Sequence, residues 1–357
     1  MNPVFAVTSA IVAASAPVDV ASVQAGLDAL PAPAAVYLSG ACLAQPLTVA
    51  SNKPAPVDER SPLRIASVTK TFTAATILRL WEQGVLDLDE PVSGLTSAGL
   101  LDPLTAAGYD FDRITVRHLL NHTSGLYDHA SDARYQQMWF DQPDHQWTRA
   151  EQIALSARWS GPLHPPGTRF AYADTGYIIL GDIIENVTNR PLHEAVREQL
   201  KFDQLDLHET WWEVVEKPPH GVEGKAAQSL RGQPTDHLHG SLDVYGGGGL
   251  IMSARDMATF FQAMFEDRIF DHPRTLSEMT RPMPHEGGDR YRLGIMAHTP
   301  QGDWRSLGFW HSGFWGTVVY YIPAKRLAVA AVTSDQAAYA ELNTMVQDLI
   351  AKIPCEW

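Results

Sequence analysis

Ser67-Val68-Thr69-Lys70 places a hydroxyl and an amine three residues apart. On a helix that spacing puts both on one face, where they can meet. A serine alcohol is a weak nucleophile until a neighbouring base takes its proton. Lysine can be that base if burial and positive surroundings lower its pKa from about 10.4 towards neutrality. The chain has seven lysines, and only Lys70 follows a serine at this distance. The available chemistry is acyl transfer on Ser67, with a helix N-terminus to stabilise developing negative charge.

Two other segments could join it. Pro166 to Tyr177 puts Tyr172 and Asp174 in a loop just before an apolar helix. A tyrosine there can relay protons, although a core tyrosine bonded to backbone reads equally well alone. Trp310-His311-Ser312-Gly313-Phe314 precedes an apolar strand. Gly313 at its edge would let a substrate backbone approach, and the N–H groups of Ser67 and Phe314 could form an oxyanion hole. Other patterns are weaker. His237-Leu238-His239 lacks a third metal ligand, and Gly246–Gly249 lacks a Gly-Lys-Ser/Thr ending. There is no Gly-x-Ser-x-Gly elbow.

These groups need elements to carry them. Residues 34–39 and 44–50 read as strands about Gly40. Val68, Phe72, Ala75, Leu78 and Trp81 predict a helix from Ser67 to a stop at Gly84. Thr115 caps a second helix, and 125–165 reads as a long loop with one helix at Arg149–Trp159. Helices follow at Thr175–Thr188 and Pro191–Leu200, then an irregular stretch over 213–245. Ser253 to Asp256 is a capping box opening a helix through Phe265. Strands at Tyr291–His298, Trp304–Phe309, Gly316–Ile322 and Leu327–Thr333 precede a helix from Asp335 to Ile353. Strands at both chain ends imply an α+β fold: one sheet from both termini and a mostly helical insertion. The expected division is a sheet domain of 17–66 with 240–357 and a helical domain of 67–239.

The net charge of −14 over 357 residues argues against nucleic acid or an anionic membrane as partner. No apolar run is long enough to span a membrane. The apolar residues 1–16, ending Ala14-Ser15-Ala16, read as a secretory signal, implying a periplasmic or secreted protein. They lack a basic start, so a frayed N-terminus on a cytoplasmic protein is the alternative. Cys42 and Cys355 read as two independent thiols, with a bridge between them as the alternative.

Taken in order, the three segments resemble the penicillin-binding-protein/serine β-lactamase superfamily: Ser-x-x-Lys, a Tyr-x-Asn-type loop and a Lys/His-Thr/Ser-Gly strand edge. The resemblance extends to Arg64–Ala74, Ile114–Gly125, Tyr177–Glu185 and Gly248–Asp256, and covers roughly residues 34–353. It is closest to the branch of class C β-lactamases, DD-carboxypeptidases, D-aminopeptidases and family VIII esterases. The resemblance implies a β-lactamase/transpeptidase-like fold with an antiparallel sheet. It implies that Ser67 attacks a carbonyl, that Lys70 shares its proton, and that Tyr172 acts as base and then acid. Ser67 and Phe314 would hold the oxyanion. Asp174, His311, Ser312, Gly313, Trp310 and Trp315 would bind a small-molecule ester or amide, with no metal or cofactor. Tyr127, Tyr135, Trp139 and Trp147 would border the site. Two positions depart from the β-lactamase pattern: Asp174 replaces Asn, and His311 replaces Lys. A carboxylate beside Lys70 favours the ammonium, and histidine weakens a fixed charge for a substrate carboxylate. An ester hydrolase is the leading expectation, followed by a D-amino-acid peptidase or amidase, a β-lactamase, and a non-catalytic scaffold. The oligomeric state stays open.

Overall fold

Leu327–Thr333 reads LAVAAVT, and all seven residues are buried. Small and β-branched side chains on both faces suit only a central strand. The computed structural model describes residues 18–286, 290–298 and 308–354 and places this strand in the middle of a six-stranded sheet. In chain order the elements that matter are α1 (Val20–Ala29), β1 (Ala34–Gly40), β2 (Leu47–Ala50), α2 (Thr69–Glu82), α3 (Asp174–Thr188) and α4 (Ala254–Phe265). They continue with β3 (Met296–His298), β4 (Gly308–Gly313), β5 (Thr317–Ile322), β6 (Leu327–Thr333) and α5 (Tyr339–Lys352). The sheet runs β2-β1-β6-β5-β4-β3 and is antiparallel throughout. Ala34 lies opposite Thr333 and Gly40 opposite Leu327, so strands from the two chain ends are neighbours. This is the α+β arrangement expected from the sequence, one antiparallel sheet built from both chain ends.

The strand period of two divides the apolar residues between two cores. Val36, Leu38, Val318, Tyr320 and Val329 pack with α1 and α5. Tyr37, Val319, Tyr321, Ala328 and Ala330 face α4 and the helical region. Phe72 of α2 stacks on Phe260 of α4 with ring centroids 3.9 Å apart. Burying each ring contributes about 1.5–3 kcal/mol and fixes the start of α2 against the sheet.

Several elements differ from the sequence reading. Helix α1 and the helix Pro273–Thr280 were not expected. The helix Ala133–Asp141 replaces part of the expected loop, because only Tyr135 and Trp139 of its residues are buried and so short a stripe does not stand out. Of Tyr291–His298 only the last three residues form a strand. The expected strand Trp304–Phe309 lies mostly outside the described residues, and the described strand begins at Gly308. Residues 1–16 also lie outside them. Cys42 is disulfide-bonded, which overturns its reading as an independent thiol. Cys355, the chain's other cysteine, is not among the described residues. No described helix is long and apolar enough to cross a membrane.

Candidate active site

Ser67 does not open α2; it sits on a 3-10 turn, Ala66–Val68, that runs into it. Ala66 adopts φ +42°, a left-handed conformation that costs a residue with a Cβ about 1–2 kcal/mol. The end of β4 and the start of β5 hold this turn in place. Thr317 Oγ1 donates to the Ile65 carbonyl at 3.3 Å, and a Cβ on Gly313 would overlap that same oxygen. Gly313 therefore makes room for the chain's own backbone, not for a substrate backbone as its position suggested.

Lys70 is wholly buried, and its three protons all have takers. It donates to Ser67 Oγ at 2.9 Å and to the Gly247 carbonyl at 2.8 Å, and it pairs with Asp174 Oδ1. Thr73 Oγ1 reaches the Gly246 carbonyl at 2.8 Å, so the glycine run is laced along α2. Burial alone would push the Lys70 pKa down. Asp174, then Tyr172 and Asp243, outweigh burial, and the pKa rises. The positive surroundings expected around a basic lysine are replaced by carboxylates, and the resting group is an ammonium.

The Tyr172 phenol lies near the Ser67 and Lys70 side chains, and Lys70 Nζ lies 5.1 Å from its ring centroid. Burial raises the phenol's pKa; Lys70 opposes this and Asp174 adds to it, leaving the group raised. The resting form is the neutral phenol.

His122 was not singled out from sequence, yet it holds Tyr172 from both sides. Ala171 N–H donates to the His122 carbonyl at 2.8 Å, and Ala173 N–H donates to His122 Nδ1 at 3.1 Å. The imidazole lies against the Tyr172 ring with centroids 4.2 Å apart. Burial, then the Lys70 charge, drives its pKa well down, so Nδ1 stays an acceptor. His122 itself sits at φ +57°. It is a positioning residue. His122→Ala should lower kcat by about 100-fold, the scale of an ångström's misplacement, with little change in KM. His122→Asn keeps an acceptor and tolerates a left-handed backbone, and should recover most of that loss. Steady-state kinetics on the two variants decides it: equal defects would remove the positioning role.

Ser67, Tyr172, Asp174, Trp139, Phe314 and Trp315 line one pocket of about 220 Å³. Asp128 and Asp243, also missed from sequence, share it. Trp310, His311, Ser312 and Gly313 do not line it. Trp310 stacks on Tyr320 on the far face of the sheet, and Ser312 lies near Tyr339 there. His311 faces the site side but is fully buried, with Nε2 3.1 Å from the Tyr291 hydroxyl. Burial, then Lys70, pushes its pKa down to about 3, so it offers no charge to a substrate. Tyr135 and Trp147 are buried beside Trp139 and stand behind the pocket wall.

A nucleophile turn at the end of a sheet strand, a buried lysine three residues on and a tyrosine loop are thus assembled on a sheet from both termini. The model of the β-lactamase family matches residues 35–352. The chain belongs to the β-lactamase family. It is a serine hydrolase of the β-lactamase type. N-acetylmuramyl-L-alanine amidase of Bacillus subtilis (strain 168) is 27% identical over 324 residues, covering 80% of this chain and 70% of that protein. Penicillin-binding protein 4 of Amycolatopsis lactamdurans is 26% identical over 316 residues, covering 82% and 77%. A D-stereospecific amidohydrolase from Streptomyces sp. shares the fold with a TM-score of 0.76 at 24% identity, covering 94% of this chain and 99% of that one.

Proposed function

We propose that the chain hydrolyses small carboxylic amides and esters through an acyl-enzyme on Ser67. One observation carries this reading: Lys70 donates to the Ser67 hydroxyl at 2.9 Å, and Ser67 and Tyr172 line the same pocket. Ser67 Oγ attacks the carbonyl carbon. Its proton passes to Lys70 as Lys70 passes one to Asp174, so no neutral amine is needed at rest. The N–H groups of Ser67 and Phe314 take the oxyanion. Tyr172 then protonates the leaving nitrogen or oxygen, and its phenolate recovers a proton from Lys70, which retakes one from Asp174. Water reverses the route and frees the acid.

Trp139, Phe314 and Trp315 suit an apolar or aryl acyl group. Amidases among the similar proteins favour amides beside esters. Among the described residues no lysine or arginine lines the pocket to receive the carboxylate of a β-lactam, which counts against that substrate class. The Cys42 disulfide supports export to an oxidising compartment. A panel of p-nitrophenyl butyrate, amino-acid amides and a chromogenic cephalosporin, with intact mass after a fluorophosphonate, tests the reading. Turnover of amides or esters and one adduct per chain are expected. A folded protein that takes no adduct would instead be a scaffold.

A further inference from the structure

Asp243 ends the 3-10 turn Gly240–Asp243 and lines the pocket beside Ser67. Among the described residues its carboxylate accepts no hydrogen bond and joins no ion pair. The two other aspartates of the pocket are spoken for. Asp174 pairs with Lys70, and Asp128 Oδ1 accepts from the N–H groups of Ala130 at 3.2 Å and Asp174 at 3.0 Å. Asp243 is held in place by shape instead: a Cβ on Gly248 would overlap its carboxylate. The pocket therefore carries both acidic groups and aromatic rings, with no lysine or arginine among the described residues of its lining.

A secluded carboxylate without a partner is costly, and proteins keep such groups where a ligand completes them. Burial, then repulsion from Asp174, pushes the Asp243 carboxyl up to about 8, and a bound cation would reverse that push. Lys70 cannot serve as that cation, because its three protons are already committed.

We propose that Asp243 anchors a primary ammonium on the substrate, so that the enzyme selects amides and esters whose acyl part carries a free amino group. The inference rests on the acyl-enzyme reading above and names its substrate class. An amine close to the scissile carbonyl lets one molecule reach Asp243 and Ser67 within a single small pocket. The rings of Trp139, Phe314 and Trp315 add an apolar seat for the side chain and attraction for the cation. A carboxylate at the same place meets like charge.

The test compares the p-nitroanilides of D- and L-phenylalanine with 3-phenylpropionyl p-nitroanilide, which lacks only the amine. Wild-type kcat/KM should favour one amine-bearing enantiomer by about 10- to 100-fold, the scale of a charged hydrogen bond. Asp243→Asn should lower that ratio by the same factor. Because the carboxyl has no partner to lose, the variant should melt no lower than wild type. A second measurement needs no turnover. Phenethylammonium should slow fluorophosphonate labelling of wild type, phenylethanol should not, and Asp243→Asn should erase the difference. Equal wild-type rates with and without the amine, or a ratio and a protection unmoved by Asp243→Asn, overturn the proposal. Failure of fluorophosphonate to label Ser67 at all is the separate result that removes the acyl-enzyme reading, and the inference with it.

Discussion

Ser67→Ala should lower kcat on every ester and amide by about 10⁴- to 10⁶-fold, with residual rate from the pocket and the oxyanion donors alone. No neighbouring group can carry the acyl chain in its place. Tyr172 is a phenol and Lys70 an ammonium at rest, so neither is a nucleophile. The fold should hardly notice. Ser67 is half-buried, and alanine removes one acceptor from Lys70, which keeps the Gly247 carbonyl and Asp174. Loss of one such bond costs about 1–3 kcal/mol. The expected signature is a protein with a wild-type circular dichroism spectrum, a modestly lower melting temperature, no burst phase and no fluorophosphonate adduct. Retention of more than a few per cent of wild-type activity would mean that another nucleophile does the work.

What sequence could show follows from how far each contact reaches. Ser67 and Lys70 meet through a local spacing of three residues, which singles them out as a pair, and the order of the three segments together decided the site. Phe314 and Trp315 follow directly from where a strand must end. The split within Trp310–Gly313 was also available: side chains alternate along a strand, so if His311 and Gly313 face the nucleophile, Trp310 and Ser312 cannot. His122, Asp128 and Asp243 are different. His122 bonds Ala173 across 51 positions, and Asp128 bonds Asp174 across 46. No period or cap in a single chain encodes such pairs. The protonation states were hidden for the same reason. Lys70 reads as a base until the fold supplies Asp174 and Asp243 as its surroundings.

That electrostatic arrangement makes the sharpest prediction about Lys70. Lys70→Met keeps much of the buried volume but strips the ammonium from beside Asp174 and leaves Asp128 and Asp243 nearby. Breaking a buried pair by removing one partner costs about 3–5 kcal/mol, because the other charge stays uncompensated. The same change removes the proton path from Ser67, which should lower kcat by about 10²- to 10⁴-fold. The two losses can be separated. In Lys70→Met/Asp174→Asn the stranded carboxylate is gone, so most of the melting temperature should return while kcat stays low. Chemical denaturation and acylation rates on the two single variants and the double variant give the coupling directly. A double variant no more stable than Lys70→Met would show that the pair does not hold the site together. Recovery of activity along with stability would show that Lys70 serves the fold and that Ser67 loses its proton by another path.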